Sequence, residues 1–511
     1  MSRSDAVTRI AEQLIKEALW DGERATWLGD DRLSTGTTVY RAVGGDLYGG
    51  TAGIATFLAR YATHSGDPEA ARAARGALAH AISWANRTRP DGALMSGTAG
   101  IAVAALDAAK LLQDDHLATQ AAHLTRTTLQ RIPTAIDLIC GRSGTLLALL
   151  HLARGLPTAE MPLTAHALHP PNTHAPAPHE QPHPTPAPRH NPTTATAAHN
   201  PGRWPSPNPV TAAVDAIGRG LVEQAQPGPV TGRCWPSDIS DDGPPLCGLA
   251  HGASGVALAL LEWGATDAAA DAAAYERSWY SPDHNNWPDL REGVAWPAFW
   301  CHGALGIGVA RLRQYDLTGN QVYAAEAGAA IDTVVRSLGS MAVQDLSICH
   351  GLSGAVDFLL DAAQVFAQPV LRTAAIEAME AAIERVGDSD WPCGVPEGGE
   401  NPSLFLGLAG IGTTLLRTLD ARTPSTVLAY AGGTMAARVI VQLGSVPENL
   451  RDQAESISRL VPGARVERIS PRGRVLLRLP AEADITAALA SLNAMDNVEY
   501  AELDVTDTAQ D

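Results

Sequence analysis

The sequence predicts a mainly α protein of seven helical-hairpin repeats, followed by a small α+β ferredoxin-like domain. Three observations predict it. A glycine-marked unit recurs about every fifty residues, helical apolar spacing follows each unit, and strand-like alternation takes over past residue 436.

The units are LYGGTAGIATFL from Leu47, LMSGTAGIAVAAL from Leu94, LICGRSGTLLALL from Leu138, LAHGASGVALALL from Leu249, WCHGALGIGVARL from Trp300, ICHGLSGAVDFLL from Ile348 and LFLGLAGIGTTLL from Leu404. Their first glycines are Gly50, Gly97, Gly141, Gly252, Gly303, Gly351 and Gly407, spaced 47, 44, 111, 51, 48 and 56 apart. A period near fifty marks a repeat architecture, in which each unit buries its apolar face on its neighbours. Stretches such as GIATFLARYA and GIGVARLRQY have helical apolar spacing, with Ala and Leu supplying propensity. Between units, residues 67–87 and 325–341 read as further helices. Each repeat is therefore two helices, with the glycine loop opening the second. Glycine lets the chain turn tightly there and lets helix N-termini crowd together. An open array would need polar caps at its ends. Closure into a ring would instead point all seven loops toward one end of a central cavity, and periodicity leaves both arrangements open.

The gap of 111 holds an insertion. Residues 162–209 contain 14 prolines and seven histidines, a composition that excludes a helix interior or strand core and predicts disorder. Past the seventh unit, 436–443, 464–471, 474–480 and 497–505 read as strands, with helices at 448–461 and 484–495. The order βαββαβ predicts the ferredoxin-like domain over 436–505.

Composition narrows the function classes. A formal charge of -18 argues against non-specific nucleic-acid binding and leaves room for a basic peptide partner. The N-terminal MSRSDAVTRIAEQLIKEALW is charged throughout and has no apolar core of a secretory signal. No apolar run reaches transmembrane length, so a cytoplasmic location is expected. In that reduced setting Cys140, Cys234, Cys247, Cys301, Cys349 and Cys393 read as core fillers or ligands, not as a disulfide framework.

Two Cys–His pairs stand at the same point of the glycine loop: Cys301 and His302 in FWCHGALGIG, Cys349 and His350 in SICHGLSGAV. Thiolate and imidazole donors select zinc. Four ligands would close the site, whereas three would keep a position for substrate, and spacing alone leaves this open. His251 shares the register of His302 and His350, one residue before the loop glycine. Histidine is the side chain whose charge changes nearest neutral pH, which suits it to proton transfer. Asp137, just before the third loop, is placed to orient such a histidine.

The loops LYGGTAGIA, SGTAGIA, LAHGASGVA, WCHGALGIG, ICHGLSG and LGLAGIG resemble those of the LanC-like lanthionine synthetase cyclases. The WCHG form, preceded by NNWPDLR, is most similar to the cyclase domains of bifunctional class II enzymes. The resemblance spans roughly residues 10–430 outside the insertion, and implies a domain over 1–430. The fold it implies is an α/α toroid of seven outer and seven inner helices. It further implies Zn2+ held by Cys301, Cys349 and His350, with His302 outside the shell, a catalytic histidine at His251 and a conserved aspartate at Asp137. The implied activity is addition of substrate cysteine thiols to dehydroalanine or dehydrobutyrine, forming lanthionine or methyllanthionine thioether rings. Some relatives carry an active-site arginine close before the zinc cysteine. Here the segment is VAWPAFWC, and Arg291, ten residues upstream, is a distant substitute. No dehydratase module precedes the repeats, which implies separate dehydratase enzymes and a dehydrated precursor peptide as partners.

NVEYAELD near the C-terminal end resembles the inhibitor-like propeptide of subtilisin-type proteases, implying a subtilisin-like leader protease as partner. Pairing of an edge strand with the leader peptide competes with that reading. Two further functions are weighed against cyclisation: a non-catalytic scaffold that binds a peptide or enzyme, and addition of glutathione or another small thiol to dehydroamino acids.

Overall fold

The computed structural model describes residues 1–32, 35–156, 209–237, 239, 243–291, 295–420, 423–428, 438–447, 449–461, 464–470, 472–479 and 485–503. The insertion read at 162–209 lies outside the described residues except for Pro209, which opens a helix.

The chain begins with helix α1 (Arg3–Glu17), capped by Ser2, and two small hairpins, β1 (Leu19–Asp21) with β2 (Arg24–Thr26) and β3 (Leu28–Arg32) with β4 (Thr38–Ala42). Helix pairs follow: α2 (Thr51–Ser65) with α3 (Pro68–Thr88), α4 (Thr98–Leu112) with α5 (Asp115–Leu129), and α6 (Arg142–Gly155) with α7 (Pro209–Glu223). After a short hairpin of β5 (Gln226–Pro227) and β6 (Arg233–Cys234) come α8 (Ala253–Trp263) with α9 (Thr266–Arg277), and α10 (Ala304–Thr318) with α11 (Gln321–Gln344). The last pair is α12 (Leu352–Phe366) with α13 (Pro369–Val386), and α14 (Leu408–Leu419) takes α1 as its partner.

Two helix types alternate, and their starts differ for a physical reason. Four of the partner helices open on side-chain caps: Ser2 at α1, Asp67 with Pro68 at α3, Asp114 at α5 and Asn320 at α11. The even-numbered helices α2 to α14 open on the loop glycines and have no side-chain cap. Backbone does the capping instead. In every loop the first helical N–H donates to the carbonyl seven residues earlier, as from Thr98 to Asp91 and from Leu352 to Asp345, both at 2.9 Å. So tight a loop has no room for side chains at its glycines. A Cβ at Gly100 would overlap the carbonyl oxygen of Leu94 and press on Leu47 Cβ of the preceding loop at 2.8 Å. Gly303 adds φ +83, a region that L-residues rarely adopt.

The even-numbered helices pack in succession, α2 on α4 through α12 on α14, and α14 returns to α2. Their loops are joined in the same cycle by backbone hydrogen bonds. Tyr48 N donates to Met95 O, Met95 N to Ile139 O, Leu138 N to Ala250 O, Ala250 N to Cys301 O, Trp300 N to Cys349 O, Cys349 N to Phe405 O and Phe405 N to Tyr48 O, all at 2.9–3.2 Å. These helices are the most buried, while α3, α5, α9, α11 and α13 bury one side and expose the other. One apolar core runs through them all.

Past residue 437, β7 (Arg438–Leu443), α15 (Leu450–Ser458), β8 (Arg465–Ile469), β9 (Arg474–Arg478), α16 (Ile485–Asn493) and β10 (Val498–Leu503) follow the βαββαβ order read from the sequence. The ends of those readings at 436–437 and 504–505 fall outside the described residues. The sheet order is β10-β7-β9-β8, antiparallel throughout. Val439, Val441, Val475, Leu477, Ile457 and Leu492 form a separate apolar cluster beneath it. Arg478 reaches across to the Asp316 carboxylate near the end of α10 and, at 2.7 Å, to Val365 O near the end of α12. The sheet therefore meets the helices at the end opposite the glycine loops. Among the described residues no helix is long and apolar enough to cross a membrane.

Candidate active site

The hydrogen-bond cycle fixes what meets at the loop end. Cys301 and Cys349 each stand two residues before a loop glycine, and both take part in the cycle through their backbones. Their sulfurs and a ring nitrogen of His350 lie within 4.8 Å of one another. Both cysteines are buried, at 8% and 2% exposure. Among the described residues this is the one cluster of its kind. Two sulfurs and one imidazole, held together out of bulk water, are a donor set that fits zinc and leaves a coordination position for a substrate atom.

The electrostatics of these ligands are coupled. A hydrogen bond from Cys349, with help from His350, holds the Cys301 thiol well below the ordinary thiol range against the opposing effect of burial. Burial pushes the Cys349 thiol well up. Burial opposes the charged form of His350 as well, but its contact with Cys301 outweighs this and the net direction is up.

Around the cluster sit Tyr48 and Phe299, which the sequence reading did not single out, and Arg291, which it named. Tyr48 lies within electrostatic reach of the Cys349 sulfur and stacks on Phe405 with ring centroids 4.9 Å apart. It stands two residues before Gly50, the register of Cys301 and Cys349, so the repeat itself carried the signal. Phe299 meets the His350 ring edge-on at 5.4 Å. Arg291 lies within electrostatic reach of Cys301, Cys349 and His350. Its guanidinium grips Asp289 in a forked pair, Nη2 to Oδ2 at 2.7 Å.

His251 follows Ala250, whose N–H donates to Cys301 O, so it borders the Cys–Cys–His cluster. Its Nδ1 lies 2.7 Å from Asp137 Oδ2, and the other Asp137 oxygen accepts the Cys140 N–H at 2.7 Å. A carboxylate anchored by its own loop therefore sets the ring's orientation and leaves Nε2 as the atom available for proton exchange. Glu276 of α9 secures the His251 loop from behind. It accepts from Gly248 N at 2.8 Å, from Ser254 N at 2.9 Å and from Ser254 Oγ, while buried Arg311 balances its charge at 2.8 Å.

His302 is not a member of the Cys–Cys–His cluster. It is 1% exposed, stacks on His251 at 5.9 Å, and finds no hydrogen-bond partner for either ring nitrogen among the described residues. Burial lowers its pKa, which keeps the ring neutral. The remaining cysteines stay apart from the cluster. Cys247 is raised by burial, as is Cys140, and Cys393 is pushed up to about 12 by the same cause.

Comparison with known proteins agrees with this geometry. The family described as lanthionine synthetase C-like protein matches residues 41–167 and 230–429, more than half of the chain. No curated protein matches. Among solved structures, a nisin cyclase is similar in fold, with a TM-score of 0.52 at 15% identity over 84% of this chain and 97% of that one.

Proposed function

The chain belongs to the lanthionine synthetase C-like family, and from that premise we propose that it is a zinc-dependent cyclase closing thioether rings in a dehydrated precursor peptide. The observation that carries the proposal is the Cys301–Cys349–His350 cluster, with both sulfurs buried, bordered by the His251–Asp137 pair. The α/α toroid of seven hairpins belongs to the same reading, supported by the cycle of helix contacts and loop hydrogen bonds.

Cys301, Cys349 and His350 would hold the metal. Bound there, zinc supplies the Lewis acidity that lowers a substrate thiol's pKa toward neutrality. The substrate cysteine's sulfur then adds to the β-carbon of a dehydroalanine or dehydrobutyrine in the same peptide, and the alkene electrons move toward the carbonyl as an enolate. His251 gives a proton to the α-carbon, while Asp137 holds its ring and tautomer. One S–H proton is lost and one C–H proton gained, so the step needs no other reactant. Arg291 stands beside the ligands, where it would offset the enolate's charge, taking the place of the arginine found nearer the zinc cysteine in some relatives.

Incubation of zinc-loaded protein with a dehydrated precursor should consume one peptide thiol per ring with no change in peptide mass. Mass spectrometry after alkylation, with glutathione present, reads this directly. Appearance of glutathione adducts would shift the reading to intermolecular thiol addition, and unchanged thiols to a binding scaffold.

The domain over 436–505 is proposed as a docking module for a leader protease or the leader peptide itself. Its position opposite the loops leaves the metal site uncovered. Compared with the full-length protein, a variant lacking residues 436–511 should lose affinity for one of these two in a titration; unaltered affinity for both, with unaltered cyclisation, would sink the idea.

A further inference from the structure

The even-numbered helices repeat in chemistry as well as in length. Ten residues past the seven loop glycines stand Arg60, Asp107, His151, Glu262, Arg313, Asp361 and Arg417. Neighbouring helices pair them: His151 with Asp107 at 2.8 Å, Arg313 with Glu262 at 2.7 Å, and Arg417 with Asp361. Four residues nearer the loops the pattern is different. Six of the seven helices carry Thr56, Val103, Leu147, Leu258, Val309 and Thr413 there, all buried. The remaining one, α12, carries Asp357 at 1% exposure, a carboxylate where the repeat otherwise has an apolar or hydroxyl side chain. A buried charge is costly unless several groups answer it, and a break in a local rule is expected at a functional position.

What answers Asp357 is the chain that follows α14. Arg417 donates to the carboxylates of Asp357 and Asp361 and, through Nε, to Thr423 O at 3.1 Å. Asp357 Oδ2 accepts from Thr426 N at 2.7 Å, from Val427 N at 2.9 Å and from Ser425 Oγ at 3.2 Å. Ser425 Oγ also lies 2.7 Å from Asp361 Oδ2, and Arg60 of α2 reaches Pro424 O at 3.5 Å. Residues 423–428 are thus folded in among α2, α12 and α14, with Val427 and Leu428 buried. The Val427 carbonyl accepts the Trp300 indole N–H at 2.8 Å, from a residue 127 positions earlier that immediately precedes Cys301. Trp300 is fully buried, its ring 4.7 Å from that of Phe405, so bulk water does not compete for this bond.

We propose that residues 423–428 are an internal strap that positions the metal site: Asp357 holds the strap, the Val427 carbonyl holds the Trp300 indole, and Trp300 fixes the Cys301 ligand beside it. Trp300 and Asp357 are positioning residues, each acting through its neighbour. The inference rests on Cys301, Cys349 and His350 being the zinc ligands, and adds what keeps their geometry. Backbone bonds to Cys349 O and from Ala250 N tie Trp300 and Cys301 sideways to the adjoining loops. The indole bond ties the same residues inward, to a segment anchored on the second turn of α12. Ligands held in place before the metal arrives lose less freedom on binding it, the usual contribution of groups behind a metal ligand.

The test uses the full-length protein. Zinc affinity is read by competition with a chromophoric chelator, and ligand geometry from the visible spectrum of the cobalt-substituted site. Trp300→Phe keeps an aromatic ring against Phe405 but loses the indole N–H, while Asp357→Asn weakens the strap's anchor on another element. Each should weaken zinc binding about tenfold, the low end for a group that supports a metal ligand, and alter the cobalt bands. Because both act through one bond, the double variant should bind zinc about as weakly as either single one. Parental affinity and spectrum in the single variants would overturn the proposal, whatever happens to Tm, and so would additive losses in the double variant. If Asp357→Asn does not fold, Trp300→Phe decides alone by the same two readings. Cyclisation of a dehydrated peptide by the parent is followed alongside. The expected variant pattern with the peptide left linear would uphold the strap and overturn the cyclase reading; ring closure by the parent, with zinc affinity unaltered in the variants, would do the reverse.

Discussion

Cys349→Ala is expected to give folded protein that retains no zinc and leaves dehydrated peptide linear. Removing one sulfur from a three-donor site leaves two ligands, too few to hold the metal against exchange. The fold should survive because the loop is held by backbone: Cys349 N donates to Phe405 O, and its carbonyl accepts from Trp300 N. The lost packing is one small buried side chain, a cost of about 1 kcal/mol, within the tolerance of a core this size. Elemental analysis of the purified variant, circular dichroism and a free-thiol count on the peptide together check the outcome. Thioether rings formed at the parental rate would refute the mechanism. Chelation of the parent protein should reproduce the variant's behaviour, and zinc should restore the parent but not the variant.

His251→Ala is expected to keep full zinc content and peptide affinity while slowing ring closure by roughly 10²–10⁴, the range for a positioned proton donor. The structure separates this from a packing effect. His251 is about one-fifth exposed, and among the described residues its side-chain hydrogen bond is to Asp137, so little folding stability depends on it. Asp137→Asn should slow the same step by less, since the ring would lose its orienting carboxylate but keep its place. Comparison of kcat with KM decides the matter: a change confined to KM, or a lowered Tm with unaltered turnover, would make His251 a structural residue.

How far the chain could be read depended on whether the information was local. The glycine loops, the helices they open and the six elements past residue 437 all follow from short-range periodicity. The sequence readings match the described elements to within a few residues. Helix α1 and the hairpins of β1 to β4 were missed. α1 stands outside the glycine repeat, and its role as partner of α14 joins residues some four hundred positions apart. Strands of three to five residues that pair only with each other carry too little alternation to register.

The candidate site divides in the same way. Residue types and register singled out Cys301, His302, Cys349, His350 and His251, because the repeat places equivalent positions at the loop end. Register could not rank His302 against His350, since both precede a loop glycine by one. Side-chain packing did so, turning His302 against His251 and Gly248 and away from the sulfurs. Register did mark Tyr48, which stands where Cys301 and Cys349 do, but spacing offered no means of finding Glu276 behind the His251 loop, because it comes from helix α9 and not from a glycine loop.

By itself, then, the sequence determined the repeat, its hairpin unit, the register of its chemistry and the small sheet domain, all of which are properties of stretches shorter than one repeat. Only the tertiary structure decided the return of the seventh loop to the first, the place of Glu276 behind the His251 loop and the hold of residues 423–428 on Trp300. The reason is geometric. Backbone hydrogen bonds from loop to loop bring together residues whose separation along the chain is unrelated to their separation in space, and that second distance sets the chemistry.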